Sequence, residues 1–579
     1  MSYYFGLDLS TQQLKLLVID EGFKIVHSYS LEFETDLPHY KTVKGVYSDE
    51  RTGEIVAPVT MWIEALDVVL EKVKQDGIDF ALVKGISGSC QQHGSVYWSD
   101  AANDVLSSLD PTRSLKDQIG EACFSLQTSP NWQDHSTGEE LEIFERYVGG
   151  ADSLAEITGS RAHYRFTGPQ IRKLLKLRPE VYHKTKRISL VSSFLASLFS
   201  GTIVELEEAD ACGMNLYDIK NKRWDEQLLA TCSMTHEMDG IEDETVRQQA
   251  IDELKRKLGN PSPAGFKAIS KISSYFVQKF GFKEDCRIYS FTGDNLATII
   301  SFPLNEDELL ISLGTSTTVL LVTKHYVPSS AYHTFIHPTI PDSYMGMICY
   351  CNGSLAREKI RDLLNKKFNK PSNDWTLFDK LLSQSKFNKA VGVYFPIGEI
   401  VPNCKAQTIR ARMGSDGELE IVDSWDEEID AGVIVQSQAL SCRARAAPML
   451  NVKAQTIDGI ESLEFDGKLI SKEHLSQRPH KVVFVGGASK NTAIVSKFAE
   501  VLGGESFRFD NPNACALGGA FKASWSVACE DDGVVDFHRY LESRFDTNTM
   551  ERIQVDEKQW DTYIPGLKML QQLETVLER

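Results

Sequence analysis

Leu309-Leu-Ile-Ser-Leu-Gly-Thr-Ser-Thr-Thr-Val-Leu-Leu-Val322 reads as a strand, a polar turn and a second strand. Leu309 to Leu313 suit a buried strand, Gly314 to Thr317 supply turn residues, and Thr318 to Val322 are again apolar or β-branched. The same order opens the chain: Tyr4-Phe-Gly-Leu-Asp8 is a strand, Leu9-Ser-Thr-Gln-Gln13 a polar turn, and Leu14-Lys-Leu-Leu-Val-Ile19 a strand. One such hairpin at the head of each half is an internal duplication at the level of pattern. Ser301-Phe-Pro-Leu-Asn-Glu-Asp-Glu308 lies between the halves, with Pro303 as a breaker. The pattern predicts an α/β protein of two domains, residues 1–302 and 303–579, with a peripheral helical tail from about 530.

A chain of 579 residues is long enough for two domains of ordinary size, and 42% hydrophobic with 25% charged residues is ordinary globular composition. A net charge of −19 argues against nucleic acid or an anionic membrane as the main partner. It leaves room for a phosphorylated ligand at a locally positive or magnesium-screened site. No signal-peptide pattern opens the chain, and no apolar run approaches the roughly 20 residues of a membrane span. The 11 cysteines are scattered, with no Cys-x-x-Cys pair. Reduced thiols and a cytoplasmic location are expected, and no Cys/His metal cluster is evident.

Several polar turns carry candidate chemistry. Asp8 enters a Ser/Thr/Gln turn, which suits a hydrated cation and phosphate oxygens, although most such turns are only turns. Gly88-Ser-Cys-Gln-Gln-His-Gly94 joins two strands, and Gln91, Gln92 and His93 offer donors and acceptors suited to sugar hydroxyls. A lone histidine is more often a satisfied core residue. Arg165 precedes a basic helix and is a candidate for a hydroxyl-rich ligand. Phe291-Thr-Gly-Asp-Asn-Leu-Ala297 predicts a strand-to-helix turn with Asp294 and Asn295 at the helix start. Their bland reading is an N-cap. Lys481-Val-Val-Phe-Val485 predicts a buried strand running into Gly486-Gly-Ala-Ser-Lys-Asn491, where glycines permit close backbone approach to a flat or anionic ligand. It is neither a P-loop nor a G-x-G-x-x-G turn.

Gly6-Leu-Asp-Leu-Ser-Thr-Gln12, Thr292-Gly-Asp-Asn295, Ser312-Leu-Gly-Thr-Ser-Thr317 and Val485-Gly-Gly-Ala-Ser-Lys-Asn491, in that order, resemble the FGGY carbohydrate kinases of the actin and hexokinase superfamily. The resemblance runs from residue 3 to about residue 525. Each motif is weak alone; four in order are strong. Ser89-Cys-Gln-Gln-His-Gly94, Trp132-Gln-Asp134, Arg165-Phe-Thr-Gly168 and the segment from Pro58 to Leu66 resemble the eukaryotic D-xylulose-phosphorylating branch. Gln92 departs from the Met-His-Gly of bacterial relatives, and Gln-His where glycerol kinases carry Arg-Glu weighs against glycerol.

The resemblance implies two ribonuclease-H-like (actin/hexokinase-like ATPase) domains with a central cleft, and ATP-dependent phosphorylation of D-xylulose to D-xylulose 5-phosphate. It implies Asp294 as general base on the terminal hydroxyl, with Asn295, His93, Arg165 and Gln92 holding the sugar. Asp8, with Thr11 nearby, would organise Mg2+ and the phosphates. Gly314 and Thr315 would hold the β- and γ-phosphates, and Gly486, Gly487 and Asn491 would border adenosine. A kinase of another ketose or polyol, such as ribulose or ribitol, and a non-catalytic nucleotide-dependent binding protein are the alternatives. The second lacks a domain-sized extension after residue 530, and Asp294 is retained.

Overall fold

A computed structural model of the chain describes residues 1–415, 417–423, 425–457, 459–510, 512–556 and 558–578. Its first half is built on strands β1 (Tyr3–Leu9), β2 (Gln13–Asp20), β3 (Ile25–Glu32), β4 (Val83–Cys90), β5 (Ser270–Lys271), β6 (Arg287–Ile288) and β7 (Thr292–Gly293). They form one sheet in the order β5-β6-β4-β1-β2-β3, with β7 also paired to β4. The hairpin partners β1, β2 and β3 are antiparallel, whereas β4 and β6 add in parallel. The second half repeats this. Strands β8 (Glu308–Leu313), β9 (Thr317–Thr323), β10 (His333–Ile336), β11 (Tyr344–Tyr350), β12 (Lys481–Val485), β13 (Glu505–Arg508) and β14 (Glu551–Ile553) run β10-β11-β9-β8-β12-β13-β14. Again the antiparallel hairpin β8-β9 is extended by β11 on one side and by parallel β12 on the other. The duplicated sequence pattern is a duplicated topology.

The central strands are buried on both faces, so their residues sort by period two. Phe5, Leu7 and Leu9 face the cluster that contains Trp62, Leu66 and Val69 of helix α1 (Val59–Gln75) and Phe194 of α2 (Val191–Ser200). Tyr4, on the other face, packs with Ala516 and Ala520. The turn that carries Asp294 opens α3 (Asp294–Ile299), and in the second half α4 (Asp430–Ala446) and α5 (Thr492–Leu502) pack on Leu309, Ile311 and Leu313.

Helix α6 (Ala514–Asp532) belongs by sequence to the second half but lies on β1 and β4 of the first sheet. Its small residues make this approach possible. A Cβ on Gly6 would lie 2.0 Å from the Ala516 carbonyl oxygen, and one on Gly519 would lie 2.6 Å from Gly88 Cα. An apolar cluster is continuous between the two sheets, uniting Tyr4 and Leu17 with Leu310, Leu320 and Phe335. Thr334 N–H donates to Gly159 O at 2.8 Å, joining the halves on one side of the cleft.

Two expectations change. The strand expected to lead into the Phe291–Ala297 turn is short, formed by β6 at Arg287–Ile288 and, after a break, by β7 at Thr292–Gly293. The tail expected to be peripheral is part of the core: β14 extends the second sheet, and Trp560, Tyr563 and Leu567 are fully buried, the last on α7 (Ile564–Glu574). Its apolar residues recur at helical spacing behind an acidic stretch that hid them. Among the described residues no helix is long and apolar enough to cross a membrane.

Candidate active site

Asp294 stands at the start of α3, but it is not the cap. Gly293 takes that place, and no side chain caps the helix. Asp294 Oδ1 instead accepts from its neighbour, from Asn295 N at 2.7 Å and Asn295 Nδ2 at 3.0 Å. Gly293 has no alternative: a Cβ there would lie 2.1 Å from Gln92 Cγ. Burial pushes the Asp294 carboxyl up to about 7, and the charge on Asp8 adds to the rise while Arg165 opposes it. Asp8 sits near the end of β1, opposite Lys15 on β2 and Ser89 on β4. Ser89 Oγ donates to Asp8 Oδ1 at 2.8 Å. Burial raises this carboxyl as well, against the pull of Ser89 and Lys15. The two carboxyls are near enough for the charge on Asp8 to raise Asp294, with Arg165 and Lys15 acting against the rise at one and at the other.

His93 is reached by a backbone in the left-handed region, with φ of 72°. That turn stacks its ring on Phe166, with centroids 4.5 Å apart, and directs Nδ1–H to Gly213 O at 3.1 Å. Burial and Arg165 hold the imidazole well below its usual range, so it is neutral, and with Nδ1 donating, Nε2 is an acceptor. Arg165 is half-buried, and among the described residues its guanidinium makes no hydrogen bond or ion pair. It faces Asp294, His93 and His333 closely enough to shift all three. Gln92, expected to touch substrate, is occupied otherwise. Its Oε1 accepts from Asn295 Nδ2 at 3.2 Å and its Nε2 reaches Asp210 Oδ1 at 3.5 Å. It links Asn295 to Asp210.

The second half presents its turns to a different space. Gly314, Thr315, Gly487 and Asn491 line a cavity of about 1100 Å³, together with Ser354 and Asp379. The Gly314-to-Thr317 turn is closed by Gly314 N–H donating to Ser316 O at 2.9 Å, and its carbonyls accept from Gly353 N and Ser354 N. Gly486 has φ of 88° and abuts Leu313 O, which brings the turn after β12 against the end of β8. Asn491 has its side chain engaged: Oδ1 caps α5 at Ile494 N, and Nδ2 donates to Asp379 at 2.7 Å. Thr11 Oγ1, in the first hairpin, accepts from Trp132 Nε1 at 2.8 Å, tying that turn to the loop beside His93.

The structure thus gathers Asp8, Asp294, Asn295, His93 and Arg165 on one side of the cleft. It sets Gly314, Thr315, Gly487 and Asn491 on the other. Sequence reading missed His163 and His333, which extend the histidine wall: their centroids are 4.7 Å apart, and His333 Nδ1 shares a 2.9 Å hydrogen bond with Ser160 Oγ. His333 comes from β10 of the second half, so no local pattern around residue 93 points to it. It also missed Gly353 and Ser354, although Asn352-Gly-Ser354 at the end of β11 carries a turn signal.

Comparison with known proteins places the chain in a family. Residues 125–301 match the profile of the FGGY family of carbohydrate kinases, N-terminal domain, and residues 309–527 that of its C-terminal domain. The xylulose kinase of Saccharomyces cerevisiae is 48% identical, covering 100% of this chain and 96% of that protein. A probable D-xylulose kinase A of Aspergillus fumigatus is 44% identical, covering 90% and 88%. Among solved structures, xylulose kinase from Rhodospirillum rubrum superposes with a TM-score of 0.73 at 14% identity over 99% of this chain and 98% of that one. Plasmodium falciparum glycerol kinase with ADP gives 0.70 at 15% over 100% and 99%. These two superpositions give the fold, two actin/hexokinase-like ATPase domains around a cleft, and with the family matches and the full-length relative they show that the chain belongs to the FGGY family of carbohydrate kinases and is an ATP-dependent sugar kinase.

Proposed function

We propose that the protein phosphorylates D-xylulose to D-xylulose 5-phosphate, with Asp294 as general base. The observation that carries this reading is the pairing of Asp294, a carboxyl raised to about 7 whose bonds from Asn295 both fall on Oδ1, with a neutral His93 and with Arg165, whose guanidinium makes no hydrogen bond or ion pair among the described residues. The identity of the full-length relatives supports the choice of sugar. A carboxyl at about 7 is ionised at slightly alkaline pH and still basic enough to take a proton from a hydroxyl as it attacks. Asn295 holds Oδ1 and so leaves Oδ2 to meet that hydroxyl. Arg165 and His93 Nε2 would bind the remaining hydroxyls, one as donor and one as acceptor. Phosphoryl transfer itself asks for alignment and charge neutralisation more than for covalent catalysis.

The residues fit a magnesium ion carried in with ATP. Asp8 is a nearly buried carboxylate with one hydroxyl donor, and among the described residues no cluster of three His, Cys, Asp or Glu side chains forms a cage. One carboxylate with waters and phosphate oxygens is the set that Mg2+ takes. Asp8 would hold it, with Thr11 nearby, and it would neutralise phosphate charge. Gly314 and Thr315 would hold the β- and γ-phosphates from the facing hairpin, while Gly486, Gly487 and Asn491 would border adenosine. Residues 1–302 would carry the sugar side and 303–579 the nucleotide side, with α6 returning to the first.

The test is coupled ADP release with Mg-ATP over D-xylulose, D-ribulose, L-ribulose, L-xylulose, ribitol, glycerol and gluconate. Turnover concentrated on D-xylulose is expected. Turnover concentrated on another member would overturn the sugar while keeping the reaction.

A further inference from the structure

Behind the base lies a charged pair that the reaction as proposed does not use. Lys522 of α6 and Glu207 are both about 1% exposed, and Lys522 Nζ lies 3.5 Å from Glu207 Oε1. Burying two opposite charges is expensive, and an apolar pair of the same volume is commonly as stable. What the pair does with its remaining hydrogen bonds is specific. Lys522 Nζ donates to Ser290 Oγ at 2.9 Å. Glu207 Oε2 accepts from Thr292 Oγ1 and from Asp210 N, each at 2.9 Å. Ser290 and Thr292 are two side chains of the four-residue segment that delivers Asp294. Asp210 leads to the base by a second route: Gln92 Nε2 reaches Asp210 Oδ1, and Gln92 Oε1 accepts from Asn295, which holds Asp294 Oδ1.

We propose that Glu207 and Lys522 are positioning residues for Asp294, clamping the segment Ser290 to Gly293 from one side and the Asp210–Gln92–Asn295 relay from the other. The clamp anchors the base to α6, a helix that comes from the far half of the sequence and is seated on the first sheet by Gly519, against Gly88, and on α3 by Gly518, against Ala297. No other described charged side chain reaches Ser290 or Thr292. The inference rests on the assignment of Asp294 as base.

The test compares three variants with the parent protein by steady-state kinetics at a temperature below each melting transition. Lys522→Met with Glu207→Gln removes both charges but keeps an acceptor for Thr292 and Asp210. It deletes the Lys522–Ser290 bond but keeps the Glu207 side of the clamp, so a fall of about threefold in kcat at unchanged sugar KM is expected. Lys522→Met with Glu207→Leu removes the acceptor as well, without stranding a charge. It is expected to lose about tenfold or more in kcat while the sugar KM stays within about twofold. Thr292→Val is nearly isosteric and leaves the ion pair in place, so it gives the same reading should the Leu variant not fold; its kcat is expected to fall about three- to tenfold at unchanged KM. A purely structural pair would change the melting temperature and leave kcat intact. Parent-like kcat in Thr292→Val, or in a folded Glu207→Leu double variant, overturns the clamp, as does a loss confined to KM. The parent protein in the same assay separates the two readings. Its failure on every sugar would overturn the proposed function, whereas parent turnover with unaffected variants overturns only the positioning role.

Discussion

The two hairpins share a topology and are used in opposite ways. In the first half the turns carry polar side chains: Asp8, His93, Arg165 and Asp294 all present charge or hydrogen-bonding groups. In the second half the turns present mostly backbone: Gly314 and Gly487 leave space, Gly353 and Gly486 lie tight against neighbouring backbone, and the Asn491 amide is engaged in capping α5. The difference fits what each side would meet. A sugar offers hydroxyls of particular stereochemistry, which side chains must match, whereas a polyphosphate is bound by backbone N–H groups at close approach. On this view a substitution in the first half changes chemistry, and one in the second changes room.

The comparison is broken most directly at Asp294. Asp294→Asn is expected to lower kcat by about 10²–10⁴, with sugar affinity largely kept, measured by coupled ADP release and sugar titration. The parent enzyme should lose kcat as pH falls through about 7, because the carboxyl must be ionised to accept the proton. The same shift has a consequence for stability. A carboxyl raised from 3.8 to about 7 makes the ionised folded state less favourable at high pH. Asp294→Asn should therefore melt above the parent at pH 8, and that advantage should fade as pH falls toward about 4. Equal melting temperatures at pH 8, with full turnover, would remove Asp294 from its role.

Much of this was legible before any coordinates. The duplicated strand–turn–strand pattern gave both sheets, because buried parallel and hairpin strands leave uninterrupted apolar runs beside polar turns. Asp294 was visible, but its local reading as a cap was wrong in a way that matters: Gly293 is the cap, and the carboxylate is spared for other work. Gln92 looked like a ligand group because its loop is polar; the partners at both ends of its amide, Asn295 and Asp210, lie far from it in the sequence. His333 and Lys522 were out of reach for a different reason. They join the site across more than 150 residues of chain, and nothing in the sequence near either one encodes its neighbour.

The second half supplies a smaller and more discriminating test. A Cβ on Gly314 would meet nothing in the protein nearer than Ser316 O at 3.4 Å, whereas one on Gly353 would lie 2.6 Å from the Ser316 backbone carbon. Gly314→Ala should fold normally and raise the KM for ATP about ten- to a hundredfold with the sugar KM unchanged, because the methyl occupies space meant for phosphate. Gly353→Ala should instead cost about 1–3 kcal/mol of stability, since backbone has to move. Unchanged ATP kinetics in a folded Gly314→Ala protein would mean that the turn does not approach the nucleotide.

The smallest effect belongs to Asn491, where the two halves stop looking different. Its carbonyl oxygen caps α5 and its amide holds Asp379, so the side chain is already satisfied before any ligand arrives. Asn491→Ala should cost about 1 kcal/mol of stability, the usual value of a lost N-cap, and most of that should return in Asn491→Ser, which can still cap. The sugar KM should not move in either variant. If the residue also borders adenosine, the ATP KM should rise in both Ala and Ser variants, since neither restores the amide that fixes Asp379 on the cavity wall. A stability loss rescued by serine with an unchanged ATP KM would leave Asn491 as a cap alone. The nucleotide side would then be built from glycines and backbone without the Asn491 amide, and the contrast between the halves would be sharper.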